Sequence, residues 1–406
     1  LTPNSACRKP VRKVQAWWTL RHMVEMSPHT SAYCQARSRL SDKTLAGIHT
    51  HLAERMQANA PSASRWFSRE VKIVDGTNLS MPDTAPNQAA YPQSSNQKEG
   101  CGFPMMKLVG LFSLKSGALL HFAHGTLHLH ENQLFRQLWH YLGKGDVILS
   151  DRGFCSFFAI ASLLQRGVDS VMRLHQARRV DFRKGKRLGQ DDLLLTWKKP
   201  AQPTAAWSQE EFAALPESLT LRQIRLQVNL QGCRSRTIIL VTTLLDPVAY
   251  PADAIRSLYL ERWSVELHFR EIKIVLALDV LRCLSPKMIE KELLLHVIAY
   301  NLIRSLMQHA AICHCVELRR ISFKGTLDTL RHFADVIHAA HGKPRKQAAL
   351  LDVMLQLIAK DQLPVRLARN EPRAKKRRAK NYHLLTKPRH EMRVPPHRNR
   401  PKTRLS

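Results

Sequence analysis

Two aspartates stand at the ends of apolar runs that have the length and composition of β-strands. Asp75 follows the run VKIV and precedes Gly76, and Asp151 follows the run DVILS and precedes Arg152. A carboxylate at the carboxyl end of a strand projects into the crevice where open α/β sheets usually carry their chemistry. An aspartate before glycine can equally begin a turn. Because both acids end strands of one predicted sheet, we favour a shared chemical role.

A third acid lies in the segment LYLERWSVELHFREIK, residues 258–273. On a helix, with about 100° per residue, Tyr259, Arg262, Glu266 and Lys273 share an arc of about 60°. Apolar residues flank this arc on both sides, whereas the solvated stripe of an amphipathic helix normally lies opposite its apolar face. The pattern predicts a polar stripe at the lip of a cleft. The alternative is an ordinary amphipathic helix in which Arg262 and Glu266 form an i,i+4 pair.

Three acids and two cations around one cleft indicate a particular chemistry. Carboxylates crowded together repel one another unless a divalent cation neutralises them, and Mg²⁺ or Mn²⁺ prefers oxygen ligands. Two such ions about 4 Å apart activate an attacking oxygen and stabilise the leaving oxygen of a phosphodiester. Arg262 and Lys273 can hold the phosphate, and Tyr259 offers a hydroxyl donor. The residues therefore predict phosphoryl transfer on nucleic acid.

The elements that must position these residues follow from hydrophobic periodicity. Residues 11–60 have a helical pattern, and strand-like runs then begin at Val71, Met106, Ala118 and Asp146. Helical patterns flank the last of these runs, so strands and helices alternate there. We predict an α/β fold with a mixed sheet covered by helices. A further strand-rich block between 178 and 250 reads as an insertion before the last helices.

The charge of the chain favours a polyanionic partner. Its 63 lysines and arginines against 32 acids give a formal net charge of +31, and 15 of these cations fall in residues 366–406. Nucleic acid is the leading candidate and an anionic membrane the second. No run of about 18 apolar residues is present to span a bilayer. The tail at 366–406 is either an arm that lies along phosphates or a solvated charge block.

A second basic cluster begins the predicted insertion, in the segment RRVDFRKGKRLG. The cations are dense in a predicted loop. This favours a loop that contacts a DNA backbone over one that is only solvated. The predicted contact residues are Arg178, Arg179, Arg183, Lys184, Lys186 and Arg187. Eight cysteines without a CxxC pair indicate neither a disulfide framework nor a zinc ribbon, which fits a reducing cytosol.

The order Y-x2-R-x3-E-x6-K in residues 259–273 resembles the signature of DDE transposases of bacterial insertion sequences, in the "insertion sequence four" group. The resemblance extends along nearly the whole chain. The similar segments are SPHTSAYCQARSRL (27–40), VDGTNLSMPDTAPNQAAYPQ (74–93), GCGFPMMKLVGLFSLKSGALL (100–120), SDRGFCSF (150–157), MRLHQARRVDFRKGKRLG (172–189) and EPRAKKRR (371–378).

The resemblance implies a ribonuclease-H-like core with a β-strand insertion before the last catalytic helix. It implies that Asp75, Asp151 and Glu266 form a catalytic triad that binds two Mg²⁺ or Mn²⁺ ions. It also implies that Tyr259, Arg262 and Lys273 contact DNA phosphates near the end of the element. The residues and the resemblance thus assign the three acids in the same way.

The resemblance divides the chain into five expected units. These are a partial N-terminal helical DNA-binding region (1–65), the first part of the core (66–177), the β-strand insertion (178–250), the second part of the core with the catalytic helix (251–345), and a C-terminal helix with the basic tail (346–406). Because the helical region before the core is short for this group, we expect the N-terminus to be shortened.

Members of this group cut double-stranded DNA at terminal inverted repeats and join the 3′-ends to a target, as a homodimer on DNA. The resemblance therefore implies a transposase that works in the bacterial cytoplasm at the nucleoid. The alternative is a truncated or inactive DNA-binding relative that inhibits transposition.

Overall fold

The computed structural model describes most of the chain. The described residues are 8–22, 26–61, 65–178, 180–204, 207–228, 236–364, 385–388 and 391–392. Arg179 of the predicted basic loop and most of the predicted basic tail lie outside them. None of the helices in these ranges combines the length and the apolar character that crossing a bilayer requires.

Three helices precede the sheet: α1 (Arg8–His22), α2 (Ser31–Arg39) and α3 (Asp42–Ala58). Ser41 caps the third helix, because Thr44 N donates to Ser41 Oγ at 3.4 Å. Such a bond satisfies one of the free N–H groups at the helix start. The buried face of α3 anchors it to the rest of the molecule, where the side chain of Gln308 donates to Met56 O at 3.0 Å.

Within the described chain, nine strands form one mixed sheet in the order β3-β2-β1-β4-β5-β9-β8-β7-β6. Strands β1, β4 and β5 run parallel, and the remaining neighbours are antiparallel. The strands are β1 (Val71–Ser80), β2 (Met105–Ser113), β3 (Leu119–Thr126), β4 (Val147–Ser150), β5 (Asp169–Arg173), β6 (Lys186–Gly189), β7 (Asp192–Lys198), β8 (Ser218–Val228) and β9 (Arg236–Thr242).

The predicted mixed α/β fold, with a mixed sheet flanked by helices, is confirmed. The hairpin between β2 and β3 turns at Gly117, whose φ of 67° favours glycine. The strand-rich block that follows β5 does not form a separate sheet. Its last strand, β9, pairs antiparallel with β5, with Val171 opposite Thr242, so the block extends the same sheet.

Helices cover the two faces of the sheet. They are α4 (Ala85–Ala90), α5 (Glu131–Arg136), α6 (Phe157–Gln165), α7 (Gln209–Ala213), α8 (Ala252–Glu261), α9 (Ser264–Arg270), α10 (Pro286–Cys313), α11 (Phe323–Ala339) and α12 (Pro344–Lys360). One apolar core lies between one face and helices α8 to α12, and it contains Ile73 and Leu149. The other contains Val74 and Ile148 and lies against α5 and α6. Side chains of each strand alternate between these two cores.

The predicted polar stripe does not lie on one uninterrupted helix. Helix α8 ends at Glu261 and α9 begins at Ser264, so Arg262 lies at the junction. After α9 the chain widens into a π-helical turn over Glu271–Val275, in which Leu276 N donates to Glu271 O five residues earlier. Such turns change the angular spacing of the residues that follow them. A uniform 100° per residue therefore does not describe this segment.

Candidate active site

The strand register places the two predicted aspartates side by side. The parallel pairing of β1 with β4 runs from Val71 opposite Val147 to Ile73 opposite Leu149. Asp75 and Asp151 each follow two residues beyond that last pair. Alternation along a strand puts each acid on the same face as the paired residue before it, the face that carries α9. The two carboxylates therefore meet at one edge of this parallel pairing, beyond the end of β4. The prediction that Asp75 ends its strand is wrong, because β1 continues to Ser80 and Asp75 pairs with Gly110 of β2.

Backbone N–H groups orient both carboxylates. Gly76 N donates to Asp75 Oδ1 and Gly153 N donates to Asp151 Oδ1, each at 2.8 Å. Burial raises the pKa of the Asp75 carboxyl to about 6. The bond from Gly76 and the charge of Arg262 oppose this rise, whereas the charges of Asp151 and Glu131 add to it. A buried acid among other acids favours its neutral form unless a cation is close.

Arg262 bridges Asp75 and Glu266. Its Nη1 lies 3.7 Å from Asp75 Oδ2, and its Nη2 lies 3.7 Å from Glu266 Oε1. The Arg262 side chain is buried, and its Nε has no hydrogen-bond partner among the residues that the structure describes. The Glu266 side chain is 66% exposed. The third predicted acid thus shares a cation with Asp75 and faces solvent on its other side.

The other two residues of the signature occupy different surroundings. Tyr259 is 2% exposed, and burial raises the pKa of its hydroxyl to about 12. It therefore lies behind the site, with the Arg262 guanidinium 5.8 Å from the centre of its ring. Lys273 Nζ donates to Thr77 Oγ1 and to Asn78 O, each at 3.0 Å. Lys273 consequently ties the π-helical turn to β1, directly after Asp75.

A fourth acid, Glu131, was absent from the sequence prediction. It begins α5 and reaches the edge where Asp75 and Asp151 meet. A methyl group on Gly76 would lie 2.5 Å from Glu131 Oε1, and one on Gly153 would lie 3.7 Å from Glu131 Oε2. Its only sequence signal is an acid at the start of a predicted helix, which is common because helix N-termini attract acids.

The donor set at this edge fits a hard divalent cation. Carboxylate oxygens are the ligands that Mg²⁺ and Mn²⁺ prefer. Gly76 and Gly153 leave the space that side chains would fill: a methyl group on Gly153 would lie only 3.1 Å from Asp151 Oδ1. In the ranges that the structure covers, no three His, Cys, Asp or Glu side chains are yet arranged closely enough to hold an ion. The Arg262 bridge separates Glu266 from Asp75 in this arrangement.

Part of the predicted basic cluster lies around a pocket of about 850 Å³. Arg178, Lys184 and Lys186 line the pocket together with Trp197. The Arg178 guanidinium stacks 3.6 Å from the Trp197 ring centre, and burial lowers the pKa of Arg178. Arg183 and Arg187 are exposed, the former paired with Asp181 at 3.1 Å.

Known transposases are similar to this chain. A family model described as transposase DDE domain matches residues 66–302. The transposase InsG for insertion sequence element IS4 of Escherichia coli (strain K12) is 27% identical over 356 residues, which cover 87% of this chain and 77% of InsG. A cryo-EM structure of a piggyBac transposase synaptic complex with hairpin DNA is similar with a TM-score of 0.40 and 11% identity, over 71% of this chain and 57% of that chain.

The matched family model contains β1, β4, α9 and the edge where the acids meet, and it spans more than half of the chain. The chain therefore belongs to the DDE transposases, in their insertion sequence four group.

Proposed function

We propose that this transposase cuts DNA at the ends of an insertion sequence and joins the 3′-ends to a target by phosphoryl transfer. The observation that carries the proposal is the register of the adjacent parallel strands β1 and β4, which brings Asp75 of β1 beside Asp151, the residue that follows β4. Carboxylates presented on rigid neighbouring strands are positioned for metal-dependent chemistry. Glu266, which shares Arg262 with Asp75, is the third proposed catalytic acid.

Asp75, Asp151 and Glu266 would hold two Mg²⁺ or Mn²⁺ ions. Bound divalent cations supply an activated water or 3′-hydroxyl and stabilise the leaving oxygen. Arg262 lies between Glu266 and Asp75, so it would have to leave one of them before both carboxylates bound the same ion. Its freed N–H groups would then donate to a substrate phosphate. Lys273 holds β1 against the turn after α9 and presents a second positive charge beside the same edge.

The DNA partners of this proposal are a duplex with terminal inverted repeats and a target duplex, with the protein acting as a homodimer in the bacterial cytoplasm. Arg262 and Lys273 would contact phosphates near the end of the element. Tyr259, which was also predicted to do so, is buried behind Arg262 and would support that arginine. The basic cluster would contact the backbone further away, through Arg178, Arg179, Arg183, Lys184, Lys186 and Arg187. Support for the latter comes from the exposure of Lys184, Lys186 and Arg187.

Cleavage of a supercoiled plasmid that carries the DNA flanking the gene on both sides, with Mg²⁺, tests the proposal. We expect Asp75→Asn, Asp151→Asn and Glu266→Gln each to lower cleavage at least about a hundredfold, since metal sites are sensitive to a single ligand. Binding to the same DNA, measured by gel shift, should persist. Glu54→Gln removes an exposed acid of α3 and is the control for the change in net charge.

Equal cleavage by the parent and by any of the three variants would show that the altered acid is not catalytic. A parent that binds the ends but does not cut them would instead favour the alternative, an inactive relative that inhibits transposition.

A further inference from the structure

A capped N-terminus and a buried aromatic side chain fix helix α5 at the edge where Asp75 and Asp151 meet. His130 caps it: Asn132 N donates to His130 Nδ1 at 3.2 Å, and His130 N donates to Gln133 Oε1 at 3.0 Å. Phe135 is fully buried, with its ring centre 5.6 Å from that of Phe154. The first residue of α5, Glu131, is therefore placed by a capped N-terminus and a buried aromatic anchor.

A hydrogen bond fixes α5 to the loop that follows Asp151. Asn132 Nδ2 donates to Gly153 O at 3.0 Å, while Gly153 N donates to Asp151 Oδ1 at 2.8 Å. The helix start and the Asp151 carboxylate are thus attached to the same glycine. These two bonds hold the backbone at the start of α5 beside the loop of Asp151.

The carboxylate of Glu131 lies over Gly76 of β1 and over Gly153 of the loop after β4. Its Oε1 lies 2.5 Å from the position of a methyl group on Gly76, and its Oε2 lies 3.7 Å from that of a methyl group on Gly153. Along the stretches that the structure describes, no arginine, lysine or histidine forms an ion pair with Glu131. Arg262 approaches Asp75 but pairs on its other side with Glu266.

We propose that Glu131 is a fourth acid of the active site and contributes, with Asp75 and Asp151, to holding the divalent cation. This inference rests on the proposed metal-dependent function. Three carboxylates without a matching cation repel one another, and a bound divalent ion removes that cost. Glu131 could also act only by its favourable interaction with the dipole of α5. That role concerns the helix start alone, so it would not require the carboxylate to lie over Gly76 and Gly153.

The first test measures Mn²⁺ binding to the full-length, DNA-free protein by isothermal titration calorimetry. We expect Glu131→Gln to weaken Mn²⁺ binding about ten- to a hundredfold, since it keeps the shape of the side chain and removes its charge. Glu54→Gln makes the same change in net charge on an exposed face of α3 and should bind Mn²⁺ as the parent does. Unchanged Mn²⁺ binding by Glu131→Gln would overturn the inference.

A second variant displaces Glu131 without removing any acid. Gly76→Ala introduces a methyl group 2.5 Å from the far end of the Glu131 side chain, which can swing away at little cost to folding. We expect an unchanged melting temperature and a loss of Mn²⁺ binding comparable to that of Glu131→Gln. Gly47→Ala is the matched control, because a methyl group there meets no atom within 4 Å.

The two changes should not add. If Gly76→Ala acts through Glu131, the double variant binds Mn²⁺ no more weakly than Glu131→Gln alone, whereas additive losses would show that Gly76→Ala acts elsewhere and contradict the inference. Asp75→Asn separates this inference from the proposed function. If Asp75→Asn loses Mn²⁺ binding and Glu131→Gln does not, only the role of Glu131 is wrong. If neither loses it, the metal-dependent function itself is wrong.

Discussion

At the scale of single residues, Asp75 is the most informative side chain. It is half-buried beside two other acids, and its pKa is raised from 3.8 to about 6. The nearby guanidinium of Arg262 lies at 3.7 Å, too far for a close hydrogen bond, and its charge only partly offsets the burial. Asp75 is therefore a residue whose charge costs folding free energy when no metal is bound.

This cost predicts a pH-dependent effect of Asp75→Asn on stability in EDTA. Because the pKa of the folded state lies above that of the unfolded state, the stabilising contribution of Asp75 is complete below about pH 4 and is lost as the pH rises through about 6. Asparagine does not titrate. We expect the variant to exceed the parent in free energy of unfolding by roughly 3 kcal/mol at pH 8, with the difference shrinking as the pH falls to 4.

Urea unfolding at several pH values between 4 and 8 measures this difference. Asp352→Asn alters an exposed aspartate of α12 and should follow the parent at every pH. A pH-independent difference between Asp75→Asn and the parent would show that the Asp75 carboxyl is not destabilised by its surroundings.

At the scale of elements, Arg222 joins the extension of the sheet to the chain that leads into α8. It is fully buried in β8, and its Nε and Nη2 donate to the two carboxylate oxygens of Asp192 at 2.8 and 2.6 Å. Its Nη1 donates to Tyr250 O at 2.7 Å and to Leu244 O at 3.3 Å. One guanidinium therefore connects β7, β8 and the segment after β9.

Replacing Arg222 with methionine leaves the Asp192 carboxylate buried without its partner. Breaking a buried ion pair from one side costs about 3–5 kcal/mol. We expect Arg222→Met to lower the free energy of unfolding by that amount in urea titrations, and Asp192→Leu in the same chain to restore part of it.

Arg225→Met makes the same substitution in the same strand, where the side chain is 35% exposed and pairs with Asp191. Its loss should stay below about 1 kcal/mol, as for exposed pairs. Equal losses of unfolding free energy at Arg222 and Arg225 would mean that burial does not increase the contribution of the ion pair to stability.

At the scale of the whole molecule, the excess of positive charge is the dominant property. The chain has a formal net charge of +31, and the exposed Lys184, Lys186 and Arg187 lie on the loop and strand that begin the sheet extension. Binding to a polyanion releases condensed counterions, which makes DNA affinity fall steeply with salt. The slope of that dependence counts the phosphate contacts.

Changing Lys184, Lys186 and Arg187 together to glutamine should lower the magnitude of the slope of log affinity against log salt by about 3, at about 0.9 per contact. Fluorescence anisotropy of labelled duplex DNA over a range of salt concentrations measures the slope. Lys324, Lys346 and Arg331, exposed on α11 and α12, form the control set for the same loss of charge. An equal change of slope in both triple variants would exclude a specific contact by the predicted basic cluster.

The sequence alone determined most of the strands and helices, and it predicted the chemistry. The apolar runs that became β1 and β4 are strands because of their own composition, and the acids at their ends were visible as Asp75 and Asp151. The order of Tyr259, Arg262 and Glu266 also identified the family, since that signature is local. Such features are encoded by neighbouring residues and need no knowledge of the distant chain.

The tertiary structure decided which elements meet. The parallel register that aligns Asp75 with Asp151, the pairing of β9 with β5 and the approach of Glu131 to Gly76 all join segments far apart in sequence. The interruption of the polar stripe at Arg262 likewise reflects packing against the sheet. Each of these depends on packing and hydrogen bonds summed over many distant contacts, whereas periodicity records only which face of an element is apolar.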